Sequence, residues 1–144
     1  MSESSLCDHS FLLRLTAEPK ALAQIRRFVQ ESSEAFGLAP GDVPGVLLAV
    51  DEAVTNIIVH GYAGRGGPVE IEMTRSPGAL VIRLRDEARP FDPTGVPEPD
   101  LTVPLEEQAP GRLGIHLIRR VMNELIYRRQ PGGRNELTMM KRVP

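Results

Sequence analysis

The sequence carries one cysteine, Cys7, in 144 residues. That excludes an internal disulfide framework and a cysteine-rich metal site. It has little excess of either charge: 19 acidic residues stand against 17 basic ones, a formal net charge of −2. Such a balance supplies no global electrostatic drive toward nucleic acid or an acidic membrane. No apolar run approaches the roughly 18 residues of a membrane span. Met1-Ser2-Glu3-Ser4-Ser5 lacks the basic and apolar stretches of a signal peptide. There is no Gly-Lys-Ser/Thr of a Walker-type P-loop. His9, His60 and His116 show no zinc-ligand spacing, so no structural metal is expected. The expectation is a soluble cytoplasmic domain with no membrane and no direct nucleic-acid contact. What is present is ordinary globular material, 41% apolar and 25% charged, enough for one domain with a real core.

The apolar pattern divides the chain into elements. Residues 1–9 read as a flexible N-terminus and 10–142 as a single domain. Phe11 to Leu15 predicts a strand. Pro19 opens a helix in which Leu22, Ile25, Phe28 and Val29 recur at helical spacing, with Gly37 as a stop. A second helix opens at Asp42, a good N-cap residue, and carries one stripe of Val43, Val46, Leu47, Val50, Val54 and Ile57 to about His60. Alternation over 69–75 and 80–84 predicts a hairpin of half-buried strands around Ser76-Pro77-Gly78. Between Ala88 and Leu113 the pattern vanishes, and six of the thirteen prolines fall there. A structureless stretch that long inside a compact domain is often a functional lid. Ile115, Ile118, Val121, Met122 and Leu125 mark a third helix. Strands at 125–129 and 135–142 close the chain around Pro131-Gly132-Gly133. Hairpins with helices grouped between them predict an α+β, two-layer sandwich with the helices on one face of the sheet.

Three places carry residues fit for chemistry. Glu52, Asn56 and His60 are spaced i, i+4, i+8 on the second helix, opposite its apolar stripe. The Asn56 amide oxygen is a hard ligand suited to Mg²⁺, and the Glu52 carboxylate can accept a proton. The same spacing also describes a solvated polar face. Asp86 ends a strand, where it can accept a hydrogen bond from an exocyclic amine or simply make an Asx-turn. Gly111-Arg112-Leu113-Gly114 feeds a helix, whose free N–H groups form a natural phosphate site.

Together these segments resemble a known set of motifs. Glu52-Ala-Val-Thr-Asn56-Ile-Ile-Val-His60-Gly61-Tyr62 resembles the N box of the Bergerat-fold ATPases. Asp86-Glu-Ala-Arg-Pro-Phe-Asp92-Pro93 resembles their first glycine box. Gly111-Arg-Leu-Gly114-Ile-His-Leu-Ile-Arg119-Arg120 resembles the second, and Gly133-Arg-Asn135-Glu-Leu-Thr138 the closing motif. In a chain of this length the combination resembles the bacterial anti-sigma factor serine kinases, over about residues 10–142. The resemblance implies a Bergerat sandwich with a mixed, mostly antiparallel sheet and an ATP lid over Gly95–Leu113. It implies ATP and Mg²⁺ as cofactors. Glu52 would be the general base and Asn56 the Mg²⁺ ligand. Asp86 would bind the adenine amine beside Ala88, with Thr138 assisting. The backbone of Gly111, Arg112, Leu113, Gly114 and Ile115 would hold the phosphates. The implied partners are an anti-anti-sigma protein that accepts phosphate on a serine, a sigma factor, and a second copy of the chain.

The sequence departs from the family pattern at three glycines. Ala88 stands where the first glycine box has Gly, Pro90 where many members have another, and Arg112 replaces a Gly before Leu113-Gly114. Glycine serves where backbone must approach a ligand closely. These losses are the basis of an alternative: a non-catalytic partner-switching module with a degenerate nucleotide site.

Overall fold

The computed structural model describes residues 9–95, 102 and 112–143. The elements are β1 (Ser10–Thr16), α1 (Leu22–Ala35), α2 (Val43–Asn56), β2 (Pro68–Ser76), β3 (Ala79–Asp86), α3 (Arg112–Val121), β4 (Glu124–Gln130) and β5 (Arg134–Arg142). The five strands form one sheet in the order β1-β2-β3-β5-β4. All four pairings are antiparallel, which corrects the expectation of a mixed sheet. The physical reason is the last hairpin: β5 inserts between β3 and β4, so these two strands, which run in the same direction, never pair.

Strand alternation sorts side chains to two faces. Val69, Ile71 and Met73 on β2, Leu80, Ile82 and Leu84 on β3 and Met139 on β5 are all buried on the helix side. Ile25 and Val29 of α1, Val46, Val50 and Val54 of α2 and Ile118 of α3 complete this core. Residues Val43–Gly61, 19 in number, are long and apolar enough by composition to cross a membrane, although Asp51 and Glu52 interrupt the apolar run. Here they form the central helix of the core, packed against α1 and α3.

Local signals explain the ends of the elements. Gly37, at φ +81°, stops α1 as expected. Asp42 precedes α2, but its side chain makes no cap bond, and its backbone N–H instead donates to Ala39 O at 2.8 Å. After Asn56 the helix widens into one π-helical turn, Ile57–Gly61, closed by Tyr62 N donating to Ile57 O at 2.8 Å. Helix α3 begins at Arg112, so Gly114 lies inside its first turn rather than ahead of it. The expected N-terminal segment 1–8, nearly all of the proposed lid and Gly111 lie outside the described residues, as do the side chains of Arg112 and Leu113.

Candidate functional site

A pocket opens where the carboxyl end of α2 meets the carboxyl end of β3. Ala53, Asn56, Ile57 and Gly61 form one wall, and Asp86, Tyr127, Asn135 and Leu137 on the sheet form the other. Ile118 of α3 and the Arg89, Phe91 and Pro93 segment close it. The lining is mainly apolar with a few polar groups, as small-molecule sites generally are.

Sheet register builds the polar end. Asp86 on β3 pairs with Asn135 on β5, which pairs with Arg129 on β4. Directly opposed residues share a face, so these three side chains form one row across three strands. Asn135 Nδ2 donates to Asp86 Oδ1 at 2.8 Å and to Ala88 O at 2.9 Å. The Ala88 N–H donates to the same Asp86 Oδ1 at 2.9 Å. Arg129 Nη1 donates to Asn135 Oδ1 at 2.9 Å and to Ala88 O at 3.2 Å, and Tyr127 OH donates to Asn135 Oδ1 at 2.6 Å. Burial raises the Asp86 pKa above the ordinary carboxylate value, against the opposing effects of Asn135, the Ala88 N–H and Arg129. Both bonds to Asp86 end on Oδ1, which leaves Oδ2 with acceptor capacity toward a ligand.

The turns around the row are pinned. Tyr62 OH accepts from Glu87 N at 2.8 Å and donates to Pro68 O at 2.7 Å. Burial, with the nearby Asp86 and Glu87 charges, raises the Tyr62 pKa, although the Glu87 N–H bond opposes the shift. Arg119 of α3 donates to Pro93 O and Thr94 O at 3.1 and 2.7 Å. Asp92 Oδ1 accepts from Thr94 N at 2.8 Å and so shapes the loop.

The predicted residues fall as follows. Asn56 lines the pocket. Glu52, one turn earlier, reaches α3: a Cβ built on Gly114 would lie 2.5 Å from Glu52 Oε1. The bare Gly114 thus lets the carboxylate sit at the first turn of α3. Ile115 is buried, so only its backbone is available to a ligand. His60 sits in the π turn, whose different angular step takes it out of the stripe, and it is not among the pocket residues. Ala88 is buried and does not line the pocket. Its methyl carbon would be 2.9 Å from a Cβ on Gly61, so the side chain fits because Gly61 has none. Thr138 is a correction. It pairs with Arg83 and Ile126, an odd number of residues from Asn135, and therefore lies on the face away from Asp86. The side chain of β5 that reaches Asp86 is Asn135.

Sequence reasoning missed the roles of Asn135, Tyr127, Arg129 and Arg119. The signal for the first three was available: a turn centred on residues 131–133 sets Arg129 opposite Asn135. Nothing local in the sequence marks Arg119, and only the folded loop shows the carbonyls it holds.

A family model described as the histidine kinase-like ATPase domain matches residues 15–141. The chain belongs to this family. Among relatives of this histidine kinase-like ATPase, the serine/threonine-protein kinase BtrW of Bordetella bronchiseptica is 30% identical over 93 residues, 64% of this chain and 65% of BtrW. That match thus spans just under two thirds of BtrW. The anti-sigma F factor of a Thermoanaerobacter species is 31% identical over 103 residues, 71% of each chain. The serine-protein kinase RsbW of Bacillus thuringiensis is 26% identical over 117 residues, 78% of this chain and 73% of RsbW. Two solved structures share the fold. The RsbU and RsbW domains of a Mycobacterium tuberculosis protein match with TM-score 0.65 and 16% identity over 94% of this chain and 33% of that one. A chain of the SiaB–SiaC complex from Pseudomonas aeruginosa matches with TM-score 0.53 and 17% identity over 91% of this chain and 89% of that one.

Proposed function

We propose that the chain is an ATP-binding anti-sigma factor serine kinase of the cytoplasm. It would sequester a sigma factor and phosphorylate a serine of an anti-anti-sigma partner, working as a homodimer. The observation that carries this is a convergence: α2 brings Asn56 to the pocket and Glu52 to the first turn of α3, while β3 brings Asp86 to the pocket's other wall. Residues suited to base recognition, metal and phosphate binding, and proton transfer thus lie on adjoining elements.

The residues fit the nucleotide. Asp86 is buried and retains an acceptor, suited to the exocyclic amine of adenine. The first turn of α3 offers backbone N–H groups to phosphate. Among the described residues no group of three or more His, Cys, Asp and Glu is placed to hold a metal. An Mg²⁺ that arrives on phosphates keeps its waters and takes few protein ligands. Asn56 would supply an amide oxygen to it, alongside the pocket. Bound Mg-ATP supplies the phosphoryl group to be transferred and the cation that neutralises its charge. Glu52 would orient the incoming serine hydroxyl and take its proton, in a reaction governed by positioning and electrostatics. Once Glu52 has passed that proton to solvent and is again a carboxylate, it would repel a phosphoserine of roughly two negative charges and favour its release. Ala88 lends no support to the degenerate-site alternative, because its methyl packs on Gly61 rather than in the pocket.

Calorimetry of Mg-ATP with an EDTA control, followed by labelled phosphate transfer to a co-purified anti-anti-sigma protein, tests the reading. Magnesium-dependent binding and a labelled serine are expected. Partner binding without nucleotide binding would overturn the kinase reading in favour of the module.

A further inference from the structure

The hydrogen-bonding capacity of Asn135 can be counted. A side-chain amide has two donors and two acceptor lone pairs. Asn135 spends both donors on Asp86 Oδ1 and Ala88 O, and both lone pairs on Tyr127 OH and Arg129 Nη1. It lines the pocket, yet nothing is left on it for a ligand. Arg129 can only donate, and Asp86 Oδ1 and Ala88 O can only accept, so a reversed amide would oppose like groups at three of its four contacts and keep at most one bond, to the Tyr127 oxygen. The amide therefore has one orientation, with its donors toward Asp86.

We infer that Asn135 is a positioning residue. It locks Asp86 in one rotamer as a pure acceptor, and the pocket thereby selects a base that presents an amino donor over one that presents a carbonyl. This rests on the adenine-site reading of Asp86 but assigns the selectivity to a residue that never touches the base. The lock reaches further than one bond. Ala88 O is held by Asn135 and Arg129 while the Ala88 N–H holds Asp86, so the 86–88 turn and the carboxylate are tied to β4 and β5 as one unit. Other charged or titratable groups recorded around Asp86 are Arg129 from β4, Glu87 beside it and Tyr62 after α2. On the α3 side the pocket is lined by Ile118.

The test compares N135L, which keeps the branched shape and removes the donors, with N135T, which restores one donor on a strand-compatible side chain. Mg-ATP and Mg-ITP, whose base carries a carbonyl in place of the amine, are titrated into each protein. The parent is expected to prefer ATP by about tenfold or more, since a mismatched buried acceptor loses its bond. In N135L the preference should collapse toward unity, and N135T should recover part of it. Equal weakening for both nucleotides with the ratio preserved would overturn the inference, because a merely structural role predicts that. A second readout needs no nucleotide: the Asp86 carboxyl carbon is titrated by NMR. Its midpoint should rise in N135L and return partway in N135T, and an unmoved midpoint would also overturn the lock. If the parent binds neither nucleotide, the ATP reading fails while the Asp86 titration still decides the role of Asn135.

Discussion

The two faces of the same sheet carry two polar clusters one residue apart in register, and they behave differently. On the outer face Arg85 donates to Glu136, Glu70 and Glu72 at 2.8 to 3.1 Å, and Arg14 and Arg134 both reach Glu70 at 2.8 Å. On the helix face Asp86, the next residue, joins Asn135 and Arg129. The outer cluster is closed, with every charge spent on an opposite one. Burial opposes the Arg85 charge, but the three carboxylates more than offset it and its pKa rises; Glu70, despite burial, is held below its usual range by Arg134, Arg14 and Arg85. The inner cluster saturates Asn135 but leaves one oxygen of Asp86 open, and burial raises that group's pKa. Polar groups whose capacity is used up internally support the sheet. A buried one with capacity left over is where a ligand belongs.

The largest effects should come from the inner side. Glu52→Gln is expected to cut phosphoryl transfer by about 10² to 10⁴-fold, the usual weight of a general base, with Mg-ATP affinity retained. Asn56→Ala should abolish magnesium-dependent binding. Rapid-quench transfer assays and calorimetry separate the two, and transfer at the parent rate by Glu52→Gln would remove Glu52 from the mechanism.

The contrast itself is tested by a matched pair. Asp86→Asn should remove adenine nucleotide binding while leaving thermal stability level or slightly raised, because an ionised buried carboxylate is a cost to the fold. Arg85→Met should do the reverse. It strands Glu70, Glu72 and Glu136 near one another and is expected to lower stability by about 1–3 kcal/mol, with nucleotide affinity unchanged. A common loss of both properties in either variant would show that the faces are not independent.

An effect of similar size on stability alone tests how Ala88 is tolerated. Gly61→Ala places a methyl 2.9 Å from the Ala88 Cβ and should cost about 1–3 kcal/mol of overpacking. Adding Ala88→Gly should restore most of it in denaturant unfolding, whereas additive losses would mean that the two sites do not share the space.

The smallest effect is on acid stability. The folded-state pKa of Glu70 is depressed, so its contribution is present above its unfolded value and is lost as pH falls through the folded one. The raised Asp86 pKa has the opposite sign: its ionisation costs stability as pH rises through the unfolded and then the folded value. In Arg85→Met the acid-side fall in melting temperature should flatten, and in Asp86→Asn the acid-side rise should steepen.

Much of this was legible along the chain because the information is local. Alternation at Val69, Ile71 and Met73 and at Leu80, Ile82 and Leu84 determined the central hairpin, since a period of two allows only one face to be buried. The i, i+4 spacing determined that Glu52 and Asn56 share a helix face. Glycine at 37 determined where α1 stops. What the sequence could not decide is which separate segments meet. The parity of β5 relative to β3 depends on which strand inserts beside which, and it moved the polar partner of Asp86 from Thr138 to Asn135. The π turn after Asn56, which removed His60 from the stripe, reflects the fit of α2 to the chain that follows. The Gly61–Ala88 contact joins residues 27 positions apart in the numbering, and no local rule links them. Periodicity and capping are properties of neighbouring residues, so sequence alone determined the elements and their faces. Register, close approach and shared hydrogen bonds belong to pairs brought together by packing, so only the tertiary structure decided which polar groups are used up and which one remains open.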